Sequence, residues 1–331
     1  MKHLFLLLLL FPFFVDANNC VKGNCIDGIG VYKNDRGETY SGRWENGRAH
    51  GKGTYTNSNG DQYYGNWVNG DMQGKGTYHY SSGDIYEGEF KGYKKHGQGT
   101  FISITGERYS GSYLNGKRNG QGTCIDRHGN KYEGNWLNGL KHGEGTCYYA
   151  DGSKYAGKFV HGKKEGLGSF YWKEGGNYMG DFANNDFNGV ATRVYANGDK
   201  YEGQFRNGLK HGKGKYFYAN GATYEGYFKN NMKSGKGIYT WSDGSSFTGQ
   251  FANNTLNGFG TRIYASGEKY IGNFSNGMKN GSGTYYSKDG ESYKGTWQNN
   301  MKHGSGLCVM ANGTKIHCVW KNDKLIRYKK L

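Results

Sequence analysis

The chain contains a single proline in 331 residues, and only 34% of its residues are hydrophobic. Leucine, isoleucine and valine are too sparse to fill an ordinary globular core. The lack of proline, and of glycine at every third position, excludes collagen. Beyond Val15 no apolar run is long enough to cross a membrane as a helix. Acidic residues are in the minority, 27 against 43 Lys and Arg, for a formal charge of +16. No Gly-x4-Gly-Lys-Ser/Thr segment occurs, and no glycine-rich turn leads into a helical pattern, so the glycines form no phosphate loop. No Ser/His/Asp or Cys/His set stands out. Glu87 and Glu89 pair two carboxylates on a polar strand face without a pocket. Enzymatic activity, a cofactor and a metal centre are therefore not expected.

What is present is glycine, 60 residues, and tyrosine, 30 residues, at fixed phase. From Tyr40, steps of 23 residues reach Tyr63, Tyr86, Tyr109, Tyr132, Tyr155, Tyr178, Tyr201, Tyr224, Phe247, Tyr270 and Tyr293 without an insertion or deletion. A fixed period of this length marks a repeat array, one quasi-linear body rather than two globular domains. The aromatic content, 16%, held at fixed phase argues against disorder.

With the first ring of each unit at position 0, position +2 is Gly (Gly42, Gly65, Gly88 to Gly295) and position +4 is aromatic (Trp44, Trp67, Phe90, Tyr113). Positions 0, +2 and +4 lie on one face of a strand, with polar residues such as Ser41 and Arg43 between them. Two rings flank a bare glycine, over which a neighbour's ring can lie. Asn-Gly follows at +6 and +7 (Asn46-Gly47, Asn138-Gly139), or Asn-Asn (Asn184-Asn185, Asn230-Asn231). Both suit the positive φ of a tight turn. The second strand carries Gly at +11, Gly at +13 except for Ala191, Thr in most units at +14, and frequent rings at +15 and +17. A second turn centres on Gly at +20. Each unit is thus a β-hairpin. The predicted fold is all-β: an elongated, twisted antiparallel sheet of tandem 23-residue hairpins, advancing roughly 9.6 Å per unit, with its ring-and-glycine face curled inward.

The pattern Tyr-Glu-Gly-x-Trp/Phe-x-Asn-Gly-x-x-x-Gly-x-Gly, as in Tyr132 to Gly145, resembles the MORN repeat (membrane occupation and recognition nexus). The resemblance spans Tyr40 to Gly313. It implies a non-enzymatic scaffold for protein–protein contact or membrane apposition, and homodimerisation in some relatives. Most such proteins are intracellular, and here the N-terminus differs. Lys2 and His3 precede an apolar run, Leu4 to Val15, of signal-peptide length, with small or tolerated residues at Val15 and Ala17. The expected organisation is a signal peptide at 1–17 cleaved after Ala17, an N-terminal cap and partial repeat at 18–39, twelve repeats at 40–315, and a cap strand with a basic tail at 316–331. The expected setting is the secretory lumen or the cell exterior.

Six cysteines fit an oxidising compartment. Cys20 and Cys25 bracket a short turn, and Cys308 and Cys318 stand either side of Gly313. Both pairs are candidate disulfides stapling the ends of the array. Cys124 and Cys147 share position +15 in consecutive units. Two strand spacings, about 9.6 Å, exceed the usual Cα reach of a disulfide, about 7 Å, so this pair is either a strained bridge or two buried thiols. His50, His96, His142, His211 and His303 recur at +10 and read as solvated loop residues. Lys94, Lys95, Lys117, Lys141, Lys163, Lys164, Lys210, Lys233, Lys279 and Lys302 fall at +8 to +12. They are expected to form a basic stripe along one edge. That stripe serves solubility, or meets an anionic lipid, a polysaccharide or an acidic protein. Nucleic acid is not expected outside the cell. Sequons at Asn253, Asn273, Asn280 and Asn312 permit glycosylation. The units from Tyr178 and Phe247 echo each other closely, three units apart, as Thr192-Arg193-Val194-Tyr195-Ala196 and Thr261-Arg262-Ile263-Tyr264-Ala265.

Overall fold

The computed structural model describes residues 19–331. The expected signal peptide and its cleavage site after Ala17 lie outside the described residues. The described chain is all-strand, from β1 (Cys20–Gly23) to β28 (Lys324–Lys330). It divides into two compact units, the first ending at Lys163 and the second starting at Lys164. Within each unit consecutive strands pair antiparallel as a meander of hairpins. No helix of the described residues is long and apolar enough to cross a membrane.

One repeat, Tyr201 to Thr223, shows how the sequence builds the hairpin. In β17 (Lys200–Arg206), Tyr201 and Phe205 are buried on one face. Asn207 and Gly208 follow, both with positive φ (50° and 78°), the two-residue turn whose twist matches paired strands. Strand β18 (Leu209–Phe217) then returns, with Gly203 opposite Gly214 and Tyr201 opposite Tyr216. The register shifts between Gly203 and Phe205. This bulge is taken up at Gly212, which holds φ 60° and faces the Gln204 side chain on the opposite face of the sheet. Position +11 therefore does not share the ring face with +13, as simple alternation suggested.

The paired glycines are a seat for the repeat's own ring. A Cβ built on Gly214 would stand 2.5 Å from Cε2 and 2.6 Å from Cζ of Tyr201. The ring comes from the same unit, not from a neighbour. The Tyr201 hydroxyl continues across to donate to the Gln204 carbonyl at 3.0 Å. The bulge leaves that carbonyl outside the regular ladder, so the phenol supplies its partner. The same bond recurs from Tyr40 to Arg43, Tyr132 to Asn135 and Tyr270 to Asn273. Phe247 keeps the ring and lacks the bond.

Within each compact unit the position-0 rings sit edge-on between two +4 rings, their own and the next repeat's. Tyr201 meets Phe205 and Phe228, both at 5.1 Å and nearly perpendicular. Tyr40 does the same with Trp44 at 4.9 Å and Trp67 at 5.1 Å. The core of each compact unit is thus a column of edge-to-face rings, an arrangement the ring quadrupole favours. Where +4 is tryptophan, its indole N–H also bonds back to the preceding unit, from Trp67 to the Gly53 carbonyl at 3.2 Å.

Hairpins are also tied at their turns. The Asn231 backbone N–H donates to the Lys210 carbonyl at 3.0 Å, and the Lys210 N–H donates to the Asn231 side chain at 2.8 Å. The same pair of bonds joins Asn254 to Lys233 and Asn300 to Lys279. Asn at +7 is more than a residue that tolerates positive φ, because it caps a strand N–H of the preceding unit that glycine leaves without a side-chain acceptor.

Both end pairs of cysteines are disulfide-bonded, with Cα separations of 5.9 Å for Cys20–Cys25 and 6.1 Å for Cys308–Cys318. Cys308 lies opposite Ile316 and Cys318 opposite Gly306, so the second bridge runs diagonally rather than face to face. Nor does it close the last hairpin. Residues 315–331 form β27 (Lys315–Lys321), the turn Asn322-Asp323 and β28. The expected basic tail is the second strand of a thirteenth, degenerate hairpin, with Ile316 at position 0, Cys318 at +2 and Trp320 at +4. Cys124 and Cys147 are unbridged and buried. Both flank Tyr132, which lies opposite Cys124 on one side and Cys147 on the other, so a whole strand separates the two thiols.

Candidate functional site on the ring face

The expected basic stripe divides in two, because these lysines are strand residues rather than loop residues. The turn occupies only two positions, so +8 and +9 already alternate between faces. Lys94, Lys117 and Lys163 at +8 are exposed beside the turn. Lys95, Lys141, Lys164, Lys210, Lys233, Lys279 and Lys302 at +9 are half-buried, and lie on the ring face.

In the first unit Lys95 lies 4.5 Å from the Phe101 ring centroid and 5.0 Å from Tyr86. Burial, and then the charge of Arg118, bring its ammonium down to about 8. Lys141 stands 4.8 Å from the Tyr132 ring, with its Nζ 3.4 Å from Cys147 Sγ. Arg118 takes the equivalent place beside Tyr109 and Cys124 and pairs with Glu107. Burial pushes the Cys124 thiol up, against the pull of Arg118. The bland role of both thiols, small residues at ring positions, is the one their surroundings support.

In the second unit Lys164 lies 4.9 Å from the Phe170 ring. Lys210 lies 4.4 Å from the Tyr216 ring and Lys233 4.4 Å from Tyr239. Lys279 and Lys302 stand 4.5 Å and 4.4 Å from Trp297 and Trp320. Burial lowers Lys210 to about 8, with the Arg193 charge adding to the effect, and burial also lowers Lys233 and Lys279. Asp199 accepts from the Tyr216 hydroxyl at 2.7 Å and the Ala219 N–H at 2.8 Å. Burial alone would raise its carboxyl, but these hydrogen bonds and the Lys210 charge hold it below the usual range.

The histidines at +10 are also strand residues, half-buried rather than solvated loop groups. Among the described residues no cluster of His, Cys, Asp and Glu is arranged to hold a metal. On the opposite face the second unit exposes large apolar side chains: Leu167, Met179, Val190, Ile238 and Phe259. Ile238 and Phe259 rim a shallow depression floored by Gly237, Gly249 and Gly260. Sequence reading passed over this face, since its +12 and +14 positions are mostly polar in other repeats.

The model of the MORN repeat matches twelve times in tandem, from residues 40–62 to residues 293–315, in the phase that places Tyr or Phe first. The chain belongs to the MORN repeat family. No curated protein matches it. Among solved structures, the TCP domain of Drosophila melanogaster SAS-4, in complex with a proline-rich motif of Ana2, is 17% identical. That match covers 46% of this chain and 83% of that one, at a TM-score of 0.30. The TCP10 domain of Danio rerio CPAP, in complex with a STIL peptide, is 11% identical, covering 71% and 95%, at a TM-score of 0.27. A Staphylococcus aureus virginiamycin B lyase is 11% identical, covering 89% and 95%, at a TM-score of 0.14. Superpositions this loose carry no functional argument. The family match supports a repeat scaffold for protein or membrane interaction.

Proposed function

We propose that this MORN-repeat protein is a non-enzymatic scaffold of the secretory lumen or cell exterior that engages a protein partner. The observation that carries this reading is the exposed apolar set of the second unit. Phe259 is 60% exposed, Val190 66% and Leu167 73%, on strands that need no such residues for their own core. Apolar groups gathered on one sheet face suit a protein surface. The compartment is supported by the disulfides at Cys20–Cys25 and Cys308–Cys318 and by the apolar N-terminal run, and the signal peptide ending at Ala17 belongs to the same reading. The test is affinity capture from secreted and lumenal fractions with wild type and with an Ile238→Ser, Phe259→Ser double variant. A partner held by wild type and lost from the folded variant supports the reading, whereas equal retention would count against this face.

A second reading, binding of an anionic lipid or polyanion, is favoured by the excess of cations. It predicts binding that weakens as salt rises.

A further inference from the structure

In the second unit the two repeats that lack a lysine at +9 restore the charge elsewhere. Phe187 and Leu256 occupy +9 in the units from Tyr178 and Phe247, and in these two units +15 is Arg193 and Arg262. In the other repeats of the second unit the order is reversed. Lys210 faces Tyr216, Lys233 faces Tyr239 and Lys279 faces Tyr285. The exchange between +9 and +15 leaves one inward cation in each of six consecutive hairpins: Arg193, Lys210, Lys233, Arg262, Lys279 and Lys302. The three-unit echo in the sequence is the signature of this exchange.

The cations are poorly neutralised. None of the six makes an ion pair among the described residues. Arg262 lies 3.3 Å from the Trp241 ring centroid and 5.2 Å from that of Tyr264, with Nη2 3.3 Å from Ser245 Oγ. Arg193 is held the same way, at 4.7 Å from Trp172 and 4.5 Å from Tyr195. The Nε of both is buried and has no acceptor. The acids nearest the row are Asp199, Asp243, Glu268 and Asp323. The Asp243 charge acts on Arg262, and its carboxylate also accepts from the Ser245 N–H at 2.9 Å. Asp199 is committed to Tyr216 and Ala219, and Asp323 accepts from the Lys302 backbone at 2.7 Å. Glu268 Oε2 is buried without a donor. Six cations therefore face four carboxylates, and a stack of rings fixes the guanidinium planes while leaving the two Nε donors unmet.

We propose that this row is a binding site for a linear acidic polysaccharide carrying one carboxylate or sulfate per disaccharide. The inference rests on the second, polyanion reading, and relocates its site from the edge lysines to the ring face. Spacing and chemistry select the ligand. Successive cations are one hairpin apart, about 9.6 Å, which is close to the length of a disaccharide. An extended acidic peptide presents same-face charges only about 7 Å apart and falls out of step within a few residues. The half-exposed rings of Tyr218, Tyr239 and Trp241 line the same face. The axial C–H groups of a pyranose are weakly positive and pack against the negative face of such a ring.

The test is calorimetric titration of the full mature chain with hyaluronan, which carries one carboxylate per disaccharide, at low and physiological salt. Vesicles of equimolar phosphatidylcholine and phosphatidylserine form the second arm. Wild type should bind the glycan in a salt-sensitive manner and in preference to the vesicles. The Arg193→Gln, Arg262→Gln variant should lose affinity by about 10-fold per guanidinium, the worth of one charge-assisted contact. Arg193→Lys with Arg262→Lys should retain most of it, and thermal melting confirms that each variant is folded. Lys213→Gln with Lys236→Gln, exposed on the opposite face, should change binding little. Preference for vesicles, or absence of glycan binding, overturns the proposal. If the glycan binds but the opposite-face variant loses as much as the arginine variant, polyanion binding stands and the ring-face site is refuted.

Discussion

Alanine at Gly214 should destabilise the array through one ring, Tyr201. The backbone of Gly214 is ordinary strand, so only space opposes the substitution. The added methyl would press within 2.6 Å of Cζ of a side chain that is itself wholly buried. Tyr201 is pinned by Phe205, Phe228 and its bond to the Gln204 carbonyl, and has no free rotamer to move into. Forcing a methyl into such packing costs about 1–3 kcal/mol. The protein contains its own control. In the unit from Tyr178 the +13 residue is Ala191, and there Phe187 stacks on Tyr178 at 4.0 Å, nearly parallel. The Tyr178 hydroxyl bonds both the Asp181 and Asn188 carbonyls, and the atoms nearest a Cβ on Gly180 belong to Ala191 and Val190 rather than to the ring. Methyl and displaced ring go together. Urea denaturation, with amide exchange across β17 and β18 as the local probe, measures the effect. Tyr201→Ala alone should cost about 3–5 kcal/mol, and in its background Gly214→Ala should cost almost nothing. If Gly214→Ala costs as much without the ring as with it, the seating argument is wrong.

Tyr201→Phe should cost about 0.5–1.5 kcal/mol by orphaning the Gln204 carbonyl, while Phe247→Tyr should gain a similar amount; denaturation midpoints measure both. Asn231→Gly should weaken the turn by about 1 kcal/mol through the Lys210 N–H it leaves unbonded, seen as faster exchange of that amide. Lys210 sits near 8 when folded against 10.5 unfolded, so between these values the unfolded chain binds more protons. Stability should therefore rise as pH climbs through that window, and Lys210→Met should flatten the rise; a stability profile that falls with pH there would contradict the burial of this ammonium. Under non-reducing, native conditions a thiol reagent should spare the chain, and after denaturation it should label Cys124 and Cys147 alone, as read by peptide mass mapping.

The period, the hairpin, both turns and the end disulfides were legible in the sequence, because each follows from residue spacing and from the φ demands of Asn and Gly. The direction of the lysines was not. It depends on the second strand beginning at +8, directly after a two-residue turn, and on a bulge at +11 that a run of glycines conceals. Lys95 and Lys94 look alike in sequence and lie in different surroundings. The exchange of Phe187 for lysine and Arg193 for a ring was visible as an echo, but its meaning needs the +9 and +15 side chains brought together across the sheet. The diagonal placement of Cys308 and Cys318 turned on a one-residue offset of the hairpin centre.

N-terminal sequencing and intact mass of the protein recovered from its native host, kept non-reduced, test the compartment on which the functional account depends. The account predicts a mature chain beginning at Asn18, with two disulfides and two free thiols. A chain that retains Met1 and carries six reduced cysteines would contradict it.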